Sequence, residues 1–338
     1  MYTNAQRGKA QIDLIVRDAY IITMNDAGRI IDDGAIAIAE RRIVDVGEDA
    51  AVTRRYSADR VIDAKGAPVH PGLIECHIHA STLALRGTLP DHIVEDDLFD
   101  IFDCPYYNNV TDEEEYFGVV LAAIEMIRND TTCFMEAGTV LEPSAAAQAA
   151  ELVGIRALIA DAFIWDQPGG FAQGKGEQDG STSRSRGVIE RAPKTIDEAL
   201  KRLGQELKRN SDQEALVTGH VAVLGLGTAS EELLLEAKRK ADTAGVVLNM
   251  HQSYSSADVA ADRLKFGRDP LLYLADIDFL DSNITLAHAN YLTDEECKVL
   301  LEGGTSLAKA PAASMMWARG AVFTGGTPIS GAVERTSV

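Results

Sequence analysis

Between Ile12 and Val69 the apolar residues come in short β-type runs, from Ile12 to Val16, Ala19 to Met24, Gly34 to Ile38, Arg42 to Val46 and Arg60 to Asp63. Asn25-Asp26-Ala27-Gly28, Asp32-Asp33-Gly34 and Lys65-Gly66 separate them with residues that accept turn geometry. The pattern predicts a small antiparallel sheet over residues 1–70. From Pro71 the period changes. Helical spacing runs from Asp112 to Asn129, with Phe117, Val120, Leu121, Ile124 and Ile127 on one side and Thr111 and Glu114 placed as a capping box. Strands are predicted from Thr131 to Glu136, Arg156 to Ala160, Ala215 to Leu224, Val246 to His251, Asn283 to His288 and Thr305 to Lys309. Helical patterns fill most of the gaps, from Pro143 to Val153, Thr195 to Arg209, Ser230 to Ala244, Asp258 to Phe266, Pro270 to Ala275 and Thr293 to Glu302. Repeated strand-then-helix units imply a parallel sheet, and the lack of a dinucleotide-type GxGxxG favours a (β/α) barrel over a doubly wound sheet.

Histidines fall where such a barrel would place its chemistry. Pro71-Gly72-Leu73-Ile74-Glu75-Cys76-His77-Ile78-His79 ends an apolar, strand-like run with two histidines two residues apart. On a strand, His77 and His79 leave one face together while Ile78 packs the other way. An isolated pair of this spacing would equally suit a half-exposed strand. Here Leu73, Ile74, Cys76, Ile78 and the largely apolar run from Ala80 to Leu85 put it in a buried setting, where a cation is a fitting partner. His251 and His288 also close predicted strands, at the carboxyl ends that form the catalytic face of a barrel.

Composition limits what this site can serve. A length of 338 residues suits one barrel of roughly 250 residues and a small second domain. A formal charge of -20 argues against nucleic acid and against an anionic membrane surface, and leaves a small neutral or cationic substrate. Cys76, Cys104, Cys133 and Cys297 show no CxxC spacing, which fits neither a zinc finger nor a disulfide framework but does fit a reducing cytoplasm. Residues Met1 to Lys9 carry no apolar leader core, and no run of about eighteen apolar residues occurs, so a cytoplasmic protein is expected.

Three further features remain open on sequence grounds. The Gly- and Ser-rich stretch from Gln167 to Arg191 reads as a long loop, either a lid or an exposed insertion. The run Asp112-Glu113-Glu114-Glu115 reads as a dipole-matched first helical turn. The acidic and apolar stretch from Asp91 to Asp103 reads as an acidic helical face or as a wall of the substrate pocket.

On these motifs the chain resembles the amidohydrolase superfamily, in the branch of deaminases and triazine hydrolases. The residues that carry the resemblance are the His77-Ile78-His79 motif, then Val247-Leu248-Asn249-Met250-His251, then Leu286-Ala287-His288-Ala289-Asn290, and it extends from about residue 12 to about residue 318. It implies an α/β fold with a TIM-type barrel over residues 71–317 and an N-terminal β-sandwich half over residues 1–70. It also implies that His77, His79 and His251 bind one divalent metal, zinc before iron, and that His288 is catalytic. His220 would be either a substrate contact or a core histidine. Tyr254 would lie on the substrate side, and Trp317, in the run Met315-Met316-Trp317, would either line an apolar substrate wall or pack in the core. Zinc held by three protein ligands keeps an open position and lowers the pKa of its water to about 7, so hydrolysis of a non-peptide carbon-nitrogen bond in a small cyclic amidine- or amide-like substrate is the expected reaction.

Two departures accompany the resemblance. Related deaminases carry glutamate three residues after the strand-five histidine, where this chain has Tyr254, a poor base at neutral pH given an ordinary pKa of about 10. The family's strand-eight aspartate has no counterpart in residues 318–338, an atypical tail, so the barrel is expected to be incomplete at strand eight. An open barrel edge leaves backbone groups unpaired, so either the sequence loses its ancestral register or end after the run Ala310 to Trp317, or a neighbouring subunit covers the edge, and a homo-oligomer is expected. The alternative to an active hydrolase is a catalytically impaired, metal-binding pseudoenzyme or a truncated fragment of that fold.

Overall fold

The structure, a computed structural model, describes residues 9–88, 99–168, 189–212 and 214–317. The acidic stretch at 91–98, most of the long loop and the tail at 318–338 lie outside the described residues. The chain divides into two compact units, Met1–Leu73 and Ile74–Val338.

In the first unit, β1 (Ala10–Ile22), β2 (Ile30–Ala39), β3 (Arg42–Glu48), β4 (Tyr56–Asp63) and β5 (Pro68–Val69) form one sheet in the order β3-β2-β1-β4, with β5 continuing along β1. The expected antiparallel sheet needs correction. The pairs β1-β2 and β2-β3 are antiparallel, but β4 and β5 both run parallel to β1. The reason is α1 (Asp49–Arg55), a short crossover helix that the alternation pattern did not reveal. It packs Val52 among Ile12, Ile15, Ala35 and Ala37 and returns the chain in the direction of β1. The two runs expected before Asn25 are one strand with an irregularity between Val16 and Ile21. At that point Asp18 takes a left-handed φ of 49° and donates its N–H to Asp49 Oδ2 at 2.9 Å.

The second unit carries the strand-helix alternation. Strands β6 (Leu73–Ile78), β7 (Thr131–Glu136), β8 (Arg156–Ile159) and β9 (Val217–Gly219) form one four-stranded sheet in sequence order. Strands β10 (Val221–Gly225), β11 (Leu248–Gln252), β12 (Ile284–His288) and β13 (Ser306–Ala308) form another. Every pair in these two sheets whose register is described is parallel. Only His220 separates β9 from β10, so the single strand expected from Ala215 to Leu224 passes from one sheet into the other at that residue.

The helices cover these strands with the residues their spacing offers. On β10 to β12, Val221, Val223, Leu248, Met250, Ile284 and Leu286 meet Leu233, Leu234 and Ala237 of α6 (Glu231–Ala244) in the largest core cluster. Between α1 and α6 lie α2 (Cys104–Asn109), α3 (Asp112–Arg128), α4 (Pro143–Val153) and α5 (Ile196–Arg202). The expected longer helix from Thr195 to Arg209 stops at Arg202, because Gly204 takes a φ of +84° and a 3-10 turn at Glu206–Ser211 follows. The capping boxes at Thr111/Glu114 and at Thr293/Glu296 are both formed.

Helix α3 turns a different side inward from the one its large apolar residues suggest. Phe117, Leu121, Ile124 and Ile127 are exposed, whereas Gly118, Val119, Ala122, Ala123 and Met126 are buried. Small residues win because they let the helix approach its neighbours closely. A Cβ built on Gly118 would stand 2.1 Å from the carbonyl oxygen of Ser81, in the 3-10 turn Ala80–Leu85 that directly follows His79. The alanines of α4, Ala146, Ala149 and Ala150, complete the same cluster.

Candidate metal centre

Four histidines converge at the carboxyl ends of β6, β11 and β12. The ring of His77 lies 4.5 Å from that of His251, 5.3 Å from that of His79 and 5.4 Å from that of His288, centroid to centroid. The His251 ring is stacked near those of His79 and His288, at 5.1 and 5.6 Å. Nε2 of His251 stands 3.2 Å from Nε2 of His79. Ligand atoms of His77, His251 and His288 all lie within 4.8 Å of one another.

The outward nitrogens are held by the protein. Nδ1 of His251 faces the carbonyl oxygen of Leu224 at 2.8 Å and therefore carries the proton. Nδ1 of His77 faces Oδ1 of Asn249 at 3.3 Å, and Nδ1 of His79 faces Oγ1 of Thr139 at 2.9 Å. A hydrogen bond at one ring nitrogen sets the tautomer and leaves the lone pair on the other, which is how ligating histidines are usually backed. With the His251 proton on Nδ1, its Nε2 presents a lone pair to Nε2 of His79, a pairing that a cation between them would satisfy. Two nitrogens each about 2.0–2.1 Å from a tetrahedral zinc are about 3.3 Å apart, close to the separation found. Nε2 of His77 is buried with no hydrogen-bond partner among the described residues, a further donor atom that a metal would satisfy.

Electrostatics point the same way. His77 and His251 keep part of their surface in solvent, yet enough protein surrounds both rings to shift them. Burial pushes His77 down to about 4, against a smaller opposing effect of the Asn249 hydrogen bond. Burial, then the neighbouring His77, His79 and His288, hold His251 well below the usual imidazole range. Neutral imidazole is the ligating form, so these rings are ready to bind at neutral pH without first losing a proton.

The backbone around the cluster is strained. Ser253, His288 and Ala289 have φ values of 49°, 70° and 46°, a region that non-glycine residues rarely occupy and that concentrates at functional sites. Ala289 N–H donates to the carbonyl of Gln252 and Asn290 N–H to that of Ser253, each at 2.9 Å, which ties the two strained turns together. Lys309, just past β13, caps them by donating from Nζ to the carbonyls of His288 at 2.8 Å and Ala289 at 2.5 Å.

The remaining sequence-derived residues divide. Tyr254 sits beside His288, ring centroids 6.0 Å apart, and its N–H donates to Asp258 Oδ2 at 3.3 Å. Trp317 caps α10 (Pro311–Met316) and is partly buried, the preceding helices being α7 (Ser256–Phe266), α8 (Pro270–Asp276) and α9 (Asp294–Gly303). His220 is fully buried at the junction of β9 and β10, with Nε2 2.9 Å from the carbonyl oxygen of Glu136 and Nδ1 3.1 Å from that of Val221. This is the setting of a core histidine engaged by main chain, and burial pushes it down to about 4. Asn249, Thr139 and Glu136 were not singled out from sequence. Asn249 could have been, since it precedes His251 by two residues on the same strand and so shares its face.

A model of the amidohydrolase family matches residues 69–322. The chain belongs to the amidohydrolase family. Among curated relatives of this amidohydrolase, 5'-deoxyadenosine deaminase of Methanosarcina mazei is 29% identical over 314 residues, 91% of this chain and 64% of the relative. The 5-methylthioadenosine/S-adenosylhomocysteine deaminase of Thermodesulfovibrio yellowstonii is 32% identical over 291 residues, 85% of this chain and 60% of the relative. The chain thus spans less than two thirds of the length of these relatives. In structure it is similar to a zinc-bound adenosine deaminase from Xanthomonas campestris, with a TM-score of 0.77 and 22% identity over 92% of this chain and 65% of that one. The zinc complex of atrazine chlorohydrolase from Arthrobacter aurescens gives a TM-score of 0.75 and 20% identity over 90% of this chain and 67% of that one. The amidohydrolase likeness establishes the α/β, TIM-type barrel architecture. Among the described residues, no helix is long and apolar enough to cross a membrane.

Proposed function

We propose that this chain is the metal-binding part of a hydrolase that releases ammonia from a small aminopurine or related amidine-like ring, with His77, His79 and His251 holding one divalent metal, most simply zinc. The observation that carries the reading is the 3.2 Å approach of the His79 and His251 Nε2 atoms, each turned inward by a protein partner on its Nδ1. A divalent cation bound there would supply Lewis acidity and would lower the pKa of a water to about 7. The residues contribute orientation and proton handling. His288, fixed by its left-handed backbone and by Lys309, is the imidazole beside the ligand set that can accept a proton and return it to the leaving amine. Tyr254, its ring 6.0 Å from that of His288, is the aromatic best placed to border a planar substrate ring, with Trp317 as a further candidate. The relatives' names, deaminases of 5'-deoxyadenosine and of methylthioadenosine and S-adenosylhomocysteine, support adenosine-type substrates over peptides.

One observation favours a second reading, a metal-binding chain of impaired turnover. The position three residues after His251 holds Tyr254, a weak base, where related deaminases carry glutamate. Ammonia release decides between them. Zinc-loaded protein is offered 5'-deoxyadenosine, 5'-methylthioadenosine, S-adenosylhomocysteine, adenosine and guanine, beside a His288→Ala control. Release by the natural sequence and its loss in the control is the expected result. Absence of release from a protein that demonstrably holds zinc would overturn the hydrolase reading for these substrates in favour of the second.

A further inference from the structure

We infer that Glu136 and Thr139 are positioning residues for the metal centre: the Glu136 carboxylate orients the Thr139 hydroxyl, and that hydroxyl fixes His79 in the tautomer that ligates through Nε2. The inference rests on the metal reading above and extends it to two buried residues behind the histidine.

Strand β7 ends at Glu136, fully buried, and the loop that follows folds back onto its carboxylate. Gly138 N–H donates to Oε2 at 2.7 Å, and Thr139 N–H is shared between both oxygens at 3.1 Å each. The Thr139 hydroxyl donates to Oε1 at 2.8 Å. Glycine is required in this loop, since Gly138 has a φ of +79° and a Cβ there would lie 2.8 Å from Cβ of Ala222. Adjacent strands bring the loop to its target. Ala137 N–H donates to the carbonyl of Ile78 at 2.9 Å, which sets Thr139 beside His79.

The direction of each hydrogen bond then follows. Burial pushes Glu136 up to about 7, against the opposing hydrogen bonds from Thr139 and Gly138, so above that pH it is a carboxylate, which can only accept, while a hydroxyl has one proton to give. With that proton committed to Glu136, Thr139 offers His79 lone pairs alone, so Nδ1 of His79, 2.9 Å away, must be the N–H donor. The lone pair of His79 is thereby forced onto Nε2, the atom that faces His251. Tyr107 is the other neighbour of this hydroxyl. Burial raises its pKa well above the ordinary value, so it keeps its proton and can meet Thr139 as a second donor without competing for that of Thr139. An ionised acceptor makes the stronger and better directed bond, which gives the buried carboxylate a purpose a neutral residue would serve less well. This is the carboxylate-backed histidine arrangement with a hydroxyl interposed.

The test uses the full chain with 15N-labelled histidine at about pH 8.5, where Glu136 is ionised. In metal-free protein, two-bond 15N–1H correlations report the tautomer of each ring, and His79 is expected as the Nδ1–H form. Thr139→Val, which keeps shape and removes the hydroxyl, should mix the tautomers and weaken zinc binding by roughly 10–100-fold in competition with a chromogenic chelator. Thr139→Ser should keep both properties, and Glu136→Gln should weaken zinc binding in the same sense as Thr139→Val. Thr139→Ala takes the place of Thr139→Val if circular dichroism shows the latter unfolded. Wild-type affinity in Thr139→Val or in Glu136→Gln overturns the inference, as does a Thr139→Ser variant that loses as much as Thr139→Val. A natural chain that takes up no zinc sinks the metal reading instead, and the tautomer of His79 in the metal-free variants still decides the relay.

Discussion

Gly118→Ala sets two opposed magnitudes against each other at one residue. In a helix interior alanine is favoured over glycine by about 1 kcal/mol, so on propensity alone the change should stabilise α3. Against that, the added Cβ would stand 2.1 Å from the carbonyl oxygen of Ser81 and 2.9 Å from its carbonyl carbon. Both atoms are backbone and cannot rotate away. Relief requires α3 and the turn Ala80–Leu85 to part by roughly 1 Å, which loosens the packing of Ala80, Val119, Ala122 and Ala123 that the small residues exist to allow. Overpacking a dense core costs about 1–3 kcal/mol and more when backbone must move. The steric cost therefore exceeds the propensity gain, and a net loss of about 1–2 kcal/mol is expected. Ser81 follows His79 by two residues, so zinc affinity should fall as well. Urea unfolding followed by far-UV circular dichroism measures the first effect, with Gly303→Ala as comparator, because its Cβ would meet Leu280 at a milder 3.3 Å. A Gly118→Ala midpoint at or above that of the natural sequence, or no lower than that of Gly303→Ala, would refute the reasoning.

Further outcomes can be stated from the same geometry. His220, pushed down to about 4 by burial against about 6.5 when unfolded, gives its full contribution to stability above about pH 6.5 and loses it as pH falls towards 4, up to about 3 kcal/mol. His220→Gln lacks this loss, so the stability gap between natural sequence and variant should narrow from pH 7 to pH 4.5; a gap independent of pH is the contrary result. Lys309→Met removes both hydrogen bonds to the His288 and Ala289 carbonyls and should cost about 2–3 kcal/mol in urea titrations. If His288 acts in the reaction, the same change should lower kcat more than it raises KM in the deaminase assay. Zinc present at a hundredfold excess over its Kd should stabilise the protein by about 2.7 kcal/mol, and chelation should remove this, read as a fall in Tm. Equal Tm with and without chelator would count against a site built from these histidines.

Much of the second unit was legible because its signals are local. The cap at Thr111 and Glu114, the strand that carries His77 and His79, and the histidines that end β11 and β12 each depend on a few neighbouring residues. What depends on distant partners was hidden. The buried side of α3 was misjudged because periodicity ranks Phe117 and Leu121 above Gly118 and Ala122, while close packing ranks them the other way. The parallel placement of β4 was missed because α1 is only seven residues long and its one buried apolar residue, Val52, makes no pattern. Of the site, the ligating residue types were visible, but Thr139 and Glu136 were not. Their role comes from a loop held by Gly138 next to a strand that is far away in sequence.

The parallel pairing of β1 with β4 also bears on the order in which the first unit assembles. Strands β1 to β3 form a meander in which each pairs with its immediate successor, so their contacts close as soon as the chain reaches Glu48. The other edge of β1 must wait, since Ala10 pairs with Tyr56 and Gln11 with Ser57 only after α1 has crossed over. During synthesis β1 is consequently an unprotected edge strand, thirteen residues long, with Ile12, Val16 and Ile21 among its side chains. Such an edge is a template for pairing with another copy of itself. The short helix α1 is in this sense a safeguard: the sooner it folds, the shorter the interval in which nascent chains can join through β1.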